Sequence, residues 1–242
     1  MKLMIIGRNG SGREKFATKL SEMGLTVIDD IETVADEDCL HADAFVIDPS
    51  EIETLTGILP ETCFHIVYIV SSEEDRKRVM QLPAYGAMTD DQFANLNRLE
   101  DTTFSRFERD PLGYTVDEIN VRAVHQCNDG ADDAAINHLV NAVTDYMHVH
   151  RNLGVIVRQC AEAGILTETE PGRINVAYNS PDGGEEFHGV SFDCFTDLLM
   201  QDSEGFAFLM RAWIAHQADI PCVQLERVNE DATTTIVGMR AD

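Results

Sequence analysis

The chain has 242 residues, 44% hydrophobic and 25% charged, which is enough apolar content for a globular core without long disorder. Its 43 acidic side chains against 18 basic ones leave a formal net charge of -25, a surface that repels nucleic-acid phosphates and argues against direct DNA or RNA binding. No stretch approaches the ~18 consecutive apolar residues of a membrane span, and the short apolar start at Met1 reads as a strand rather than a signal peptide, so a cytoplasmic location is expected.

The acid excess has three readings: plain solubility, adaptation to high salt, and mimicry of nucleic acid toward a basic protein partner. The scarcity of lysine (Lys2, Lys15, Lys19 and Lys77 only) also suits the second; solubility is the simplest and is preferred. The six cysteines are scattered, with no Cys-x-x-Cys pair, so buried thiols in a reducing compartment are expected. His148 and His150 have no third ligand spaced nearby, and no structural metal is expected.

Residues 2–6 form an apolar run ending at Gly7, as a buried parallel strand should. A glycine-rich turn, Gly7-Arg8-Asn9-Gly10-Ser11-Gly12-Arg13, follows. From Glu14 the period is helical, with Phe16, Leu20 and Met23 on one face and Gly24 as the stop. Further strands are expected at 25–28, ending in Asp29-Asp30, at 44–47, ending in Asp48-Pro49, at 64–70 and at 121–125. Helices are expected from Ser50 to about Ile58, from Ser71-Ser72 through Arg76, Lys77 and Arg78, over 91–108 with Phe93, Leu96, Leu99, Phe104 and Phe107 inward, and around Ile136, Leu139, Val143 and Met147. The segment 83–90 reads as a loop. Alternating strands and helices imply a parallel sheet covered on both faces, a three-layer α/β domain over residues 1–150. Residues 151–242 read as a small α+β appendage: a helix over 153–160, a hairpin turning at 179–184, helices at 191–201 and 205–217, and a last pair of strands.

The chemistry centres on residues 7–15. A phosphate loop needs glycines so that successive backbone N–H groups converge on a phosphate at a helix N-terminus. It also needs a Lys for the β- and γ-phosphates and a hydroxyl for Mg²⁺. Gly7-x-x-x-x-Gly12 has the right spacing and lies between a strand and a helix. Arg13 stands at the Lys position and Glu14 where Ser or Thr is usual, with Lys15 next. Gly7, Asn9, Gly10, Ser11, Gly12, Arg13, Glu14 and Lys15 are therefore the candidate phosphate-binding set. Asp48 is a candidate Mg²⁺ ligand, though Asp-Pro at a strand end is also a turn signal. Asp29 and Asp30 could face an acceptor or simply be solvated turn residues.

Over residues 1–148 the chain resembles the P-loop nucleoside and nucleotide kinases, especially the guanylate-kinase-like and phage-type deoxynucleoside monophosphate kinases. The resemblance rests on the glycine loop, on Val67-Tyr68-Ile69-Val70 with Glu73, Arg76 and Arg78, on Arg98-Leu99-Glu100-Asp101 with Phe104, and on Asn128-Asp129-Gly130. It implies a sheet of the P-loop kinase type, ATP and, in an active site, Mg²⁺ as cofactors, and transfer of the ATP γ-phosphoryl to a nucleotide-type acceptor. In that role Arg13 replaces the usual Lys, Asp29 or Asp30 acts at the acceptor, and Arg76 and Arg78 neutralise developing charge. The missing hydroxyl and the Lys-to-Arg change depart from the family's pattern, as does the absence of its substrate-binding Tyr and Arg segment after the second strand.

Two functions compete: an ATP-dependent nucleotide kinase, and a decayed scaffold that binds nucleotide or engages a protein through its acidic surface or its appendage. A homodimer is left open. The apolar face on 191–217 (Phe192, Phe195, Leu198, Leu199, Phe206, Trp213 and others) reads as the appendage's own core before it reads as an interface.

Overall fold

A computed structural model describes residues 1–31, 33–114, 120–180, 183–218, 222–228 and 234–241. The chain divides into two compact units, Met1–Met147 and His148–Asp242. Among the described residues, no helix is long and apolar enough to cross a membrane.

Unit 1 is α/β. Strands β1 (Lys2–Ile6), β2 (Val27–Ile28), β3 (Ala44–Val46), β4 (Phe64–Ile69) and β5 (Val121–Cys127) form one parallel sheet in the order β2-β3-β1-β4-β5. Every side chain of β1 from Leu3 to Ile6 is fully buried, because the sheet is covered on both sides. Leu3 and Ile5 meet Phe16, Ala17 and Leu20 of α1 (Arg13–Glu22) and Ile136, Val140, Val143 and Met147 of α7 (Asp133–Glu162). Met4 and Ile6 face the other way, into a core with Ile52 and Leu55 of α3 (Ile52–Ile58), Cys39 of α2 (Asp36–His41), and Phe104 and Phe107 of α5 (Asp90–Phe107). Each large side chain removed from water in this way contributes about 1.5–3 kcal/mol. Helix α4 (Glu73–Met80) follows β4, and the short α6 (Pro111–Tyr114) packs its Tyr114 against Phe107.

Several expectations are corrected. The helix expected from Ser50 is preceded by a 3-10 turn, Pro49–Glu51, and is started by Asp48, which accepts from the Glu51 backbone while the Glu51 carboxylate accepts from Asp48 N–H at 2.6 Å. Leu99 is 64% exposed and Glu100 is buried in its place. Residues 133–162 form one helix, not two. A 3-10 turn, Pro83–Tyr85, lies in the segment read as loop.

Unit 2 contains an antiparallel hairpin of β6 (Arg173–Ser180) and β7 (Gly183–Ser191), whose expected turn residues 181–182 lie outside the described ones. Helices α8 (Phe192–Gln201) and α9 (Ser203–Gln217) follow, then a second antiparallel pair, β8 (Cys222–Val228) and β9 (Thr234–Ala241). Phe195, Leu199, Leu209 and Ala212 cluster with Leu153, Val157 and Cys160 of α7. Most of the apolar face on 191–217 is thus used inside the unit, while Phe206 and Ile214 remain exposed. On α7, His148 is exposed and His150 buried, so the two do not form a chelate. Cys39, Cys63, Cys127, Cys160 and Cys194 are buried and take part in no disulfide.

Candidate functional site

In the order β2-β3-β1-β4-β5 the chain leaves β1 toward one edge and returns across it to β4. The carboxyl end of β1 is therefore the switch point where open α/β sheets hold ligands. Residues 7–12 leave β1 there and lead into α1. Gly12 caps α1 in the left-handed region, at φ 101°, without a side-chain cap. A Cβ on Gly12 would come 2.3 Å from the carbonyl oxygen of Gly130, and one on Gly130 would come 1.9 Å from that of Ser11. Two glycines in backbone contact let the loop lie flat on the start of the segment leading to α7. The Ser71 hydroxyl donates to Ser11 O at 2.8 Å, and Gly130 N–H donates to Val70 O at 2.8 Å, which fixes both sides of that contact.

The loop's donors divide into two groups. Ser11 N–H bonds to Arg8 O at 2.9 Å and Phe16 N–H to Gly12 O at 3.0 Å. Among the described residues, no protein group accepts from the backbone N–H of Gly10, Gly12, Arg13, Glu14 or Lys15. By contrast, α4, α5, α8 and α9 have first-turn N–H groups satisfied by Ser72, Thr89, Ser191 and Asp202. The Ser11 side chain is 1% exposed, and its Oγ has no hydrogen-bond partner. It lies inside the loop, where a Cβ on Gly7 would come 2.5 Å from it.

The side chains around the loop are already paired. Arg13, with 14% of its side chain exposed, donates from Nη1 to Asp48 Oδ1 at 2.8 Å, from Nε to Glu14 Oε1 at 3.3 Å and from Nη2 to Asn9 Oδ1 at 3.4 Å. Burial is the largest single influence and opposes the charge on Arg13, but the hydrogen bonds and charges of Asp48 and Glu14 together outweigh it, and the pKa lies above the ordinary arginine value. Lys15 reaches Asp133 at 2.8 Å and the Ala131 carbonyl at 3.3 Å.

Glu100 and Asp101 of α5 and Glu108 just after it supply carboxylates around the loop to which sequence reading had given no role of their own. Glu100 is buried, and its Oε1 accepts from Asn9 N–H at 2.7 Å and from Asn9 Nδ2 at 2.9 Å. Its other oxygen accepts from Arg76 Nη2, and Arg76 Nε donates to Asn9 O at 3.0 Å. Arg76 also lies over the Phe93 ring, with its guanidinium carbon 5.6 Å from the ring centre. Burial pulls the Arg76 pKa down while the Glu100 charge holds it up; the balance is below the ordinary value. Arg8 is held by both oxygens of Glu108 at 2.7 Å and by Asp101 at 2.6 Å, and hydrogen bonding to Glu108 raises its pKa. The Tyr68 hydroxyl donates to Glu108 at 3.1 Å; burial first and the Glu108 charge second push its pKa up.

The structure thus brings Asn9, Arg13, Glu14 and Asp48 into contact and places Arg76 directly under the loop. Arg78 is exposed and pairs with Asp75 on its own helix at 2.5 Å. Asp29 and Asp30 are exposed at the end of β2, the edge strand, with β3 between them and β1. Glu100, Arg8, Glu108 and Gly130 complete the site. The only sequence signal for Glu100 was its place in a segment resembling the kinases' post-lid helix.

The residues do not suit a divalent cation. Such a cation takes several oxygen ligands, yet Asp48 Oδ1 is bound to the Arg13 guanidinium, and positions 14 and 15 offer a carboxylate already on Arg13 and an ammonium.

No protein-family model matches the sequence, and no curated protein matches it. Among solved structures, one match is the crystal structure of an uncharacterized protein from Eubacterium ventriosum ATCC 27560. It is similar at a TM-score of 0.40 and 12% identity, over 61% of this chain and 99% of that one. The site is therefore read from its own geometry.

Proposed function

We propose that this chain binds the phosphate group of a nucleotide at the N-terminus of α1, on a scaffold of the P-loop kinase type. The observation that carries the reading is the set of backbone N–H groups at Gly10, Gly12, Arg13, Glu14 and Lys15 that no group among the described residues accepts. Donors at a helix N-terminus, together with the positive end of the helix dipole, suit an anion. The partnerless Ser11 hydroxyl inside the same loop is an independent support. The position at the sheet's switch point is where such a ligand is expected.

Transfer of the ATP γ-phosphoryl to a nucleotide acceptor asks for more. Cations must converge on the moving group, because phosphoryl transfer is carried by positioning and charge neutralisation. Arg76 is bound to Glu100 and Arg8 to Glu108 and Asp101. Asp29 and Asp30 stand on the far edge strand. Binding without transfer is therefore the activity we assign to the loop, with kinase chemistry as the alternative that the same experiment decides.

The experiment is a thermal-shift titration of the full chain with ATP, GTP, nucleoside monophosphates and inorganic phosphate, paired with an assay for ADP formation. A ligand that binds only the folded state raises its stability by about 2.7 kcal/mol at a hundred times Kd. The expected result is a shift with ATP and no ADP above background with any monophosphate. Turnover with one of them establishes the kinase instead, and no shift with any phosphate at millimolar concentration overturns phosphate binding.

A further inference from the structure

We infer that Ser71 and Arg76, on the segment that follows β4, are positioning residues that aim the N–H groups of Gly12 and Gly10 at the bound phosphate. The inference rests on the phosphate-binding reading and deepens it by naming the residues that orient the site's donors. Along the loop the donors alternate. Asn9 N–H is taken by Glu100 at 2.7 Å and Ser11 N–H by Arg8 O at 2.9 Å, whereas among the described residues nothing accepts from Gly10 or Gly12. The carbonyls of the same peptides are held from one side: Asn9 O accepts from Arg76 Nε at 3.0 Å, and Ser11 O from the Ser71 hydroxyl at 2.8 Å. A trans peptide points its N–H opposite to its C=O, and the Asn9–Gly10 and Ser11–Gly12 peptides are both trans. Drawing these two carbonyls toward the segment after β4 therefore turns the Gly10 and Gly12 N–H groups away from it, to the side of the loop where they meet no protein acceptor.

Orientation, not charge, is what Arg76 contributes. Its charge is balanced by Glu100, buried with it. Glu100 in turn accepts from both nitrogens of Asn9, so that residue is gripped at its N–H, its side chain and its carbonyl. Ser71 is neutral, and its segment is fixed independently, since Val70 O just before it accepts from Gly130 N–H at 2.8 Å. A phosphate has oxygens enough to meet several N–H groups at once, and a donor already turned toward it loses little further backbone freedom on binding.

Each contact governs one donor, so the two can be tested separately. The dipeptides Asn-Gly and Ser-Gly each occur once in the sequence. Pairing carbonyl-¹³C Asn or Ser with ¹⁵N-glycine therefore picks out the Gly10 and Gly12 amides in NMR spectra of the full chain. Titration with inorganic phosphate should move both amide protons downfield. In Ser71→Ala the Gly12 displacement should fall by at least half while Gly10 keeps its own, and the phosphate Kd should weaken about three- to tenfold, the worth of one neutral hydrogen bond. Ser71→Thr keeps the hydroxyl and should restore both. Arg76→Lys keeps a charge beside Glu100 but loses the fork, and should reverse the pattern, with Gly10 affected and Gly12 spared. Calorimetric phosphate binding that leaves the Gly10 and Gly12 amides unmoved, or a Gly12 displacement unchanged by Ser71→Ala, overturns the inference and leaves the phosphate site standing. No change at any loop amide with phosphate or with ATP overturns both. The wild-type titration needs no variant to fold, and Ser71→Ala, at a partly buried position, carries the test should Arg76→Lys unfold.

Discussion

Glu100 joins three donors from two separate parts of unit 1: both nitrogens of Asn9 in the loop and the guanidinium of Arg76 on α4. With both charges buried, removing one leaves the other unpaired at a cost of about 3–5 kcal/mol, although an apolar pair of similar volume can be neutral. Glu100→Ala should therefore lower the urea midpoint steeply, and the double variant Glu100→Leu with Arg76→Met should recover most of the loss; urea melts of the three chains check this. His150 offers a pH-dependent counterpart. Its ring is buried with Nε2 3.1 Å from the Asp193 carbonyl, and burial lowers its pKa from 6.5 to about 4. Between those values the unfolded chain takes up a proton that the folded chain refuses. Stability should fall as pH drops from 6.5 toward 4, by at most about 1.4 kcal/mol per unit, with no contribution above that window. Denaturation midpoints from pH 7 to pH 5 should show a flatter slope for His150→Gln than for the parent chain. At this scale the site was half legible. The glycine spacing marked the loop, since glycine is needed wherever backbone meets backbone. Glu100 left no such mark, because a buried carboxylate is recognised only by partners 24 and 91 positions away in sequence.

Helices α4, α5, α8 and α9 begin with side-chain caps, whereas α1 begins with Gly12 pressed against Gly130. The second glycine has no slack, since a methyl group there would lie 1.9 Å from Ser11 O and 2.5 Å from the Ile69 side chain. Gly130→Ala should displace the loop, lower the melting temperature and abolish the stabilisation by ATP. Gly57→Ala is the contrasting case: it lies within α3 with nothing near its Cβ, and it should stabilise by about 0.5–1 kcal/mol through helix propensity. Paired thermal melts with and without ATP separate the two effects. Strands β1 and β4 were readable because burial on both faces leaves nearly continuous apolar runs, broken in β4 only by the buried His65. Helix α2 was not, for it buries only Cys39 among its six residues and has no apolar period. The continuity of α7 was hidden by one residue. Its buried apolar positions, with His150 among them, run Ile136, Val140, Val143, Met147, His150, Leu153, Val157 and Cys160, three or four apart, and a histidine in that stripe reads as a break until its burial is seen.

For the molecule as a whole, charge sets the conditions of stability. The ion pairs found around the loop and along α4 and α5 are few beside 43 acidic groups, and the partly exposed ones are each worth up to about 1 kcal/mol, a contribution that salt weakens. The net charge of -25 is repulsion that salt relieves. The second effect should win, so the melting temperature should rise between 0.1 and 1 M NaCl, at roughly 2–4 °C for each kcal/mol gained at this chain length. A melting temperature that is flat or falls across that range identifies the ion pairs as dominant. The strand that carries the loop has a further consequence. β1 is bonded along its length to β3 on one side and to β4 on the other, and Leu3 to Ile6 are sealed from solvent. Amides in such a position exchange with deuterated solvent only when the whole domain opens. The loop is therefore moored to the last element to let go, and a ligand seated in it should slow hydrogen exchange across the entire sheet, not merely at the residues it touches.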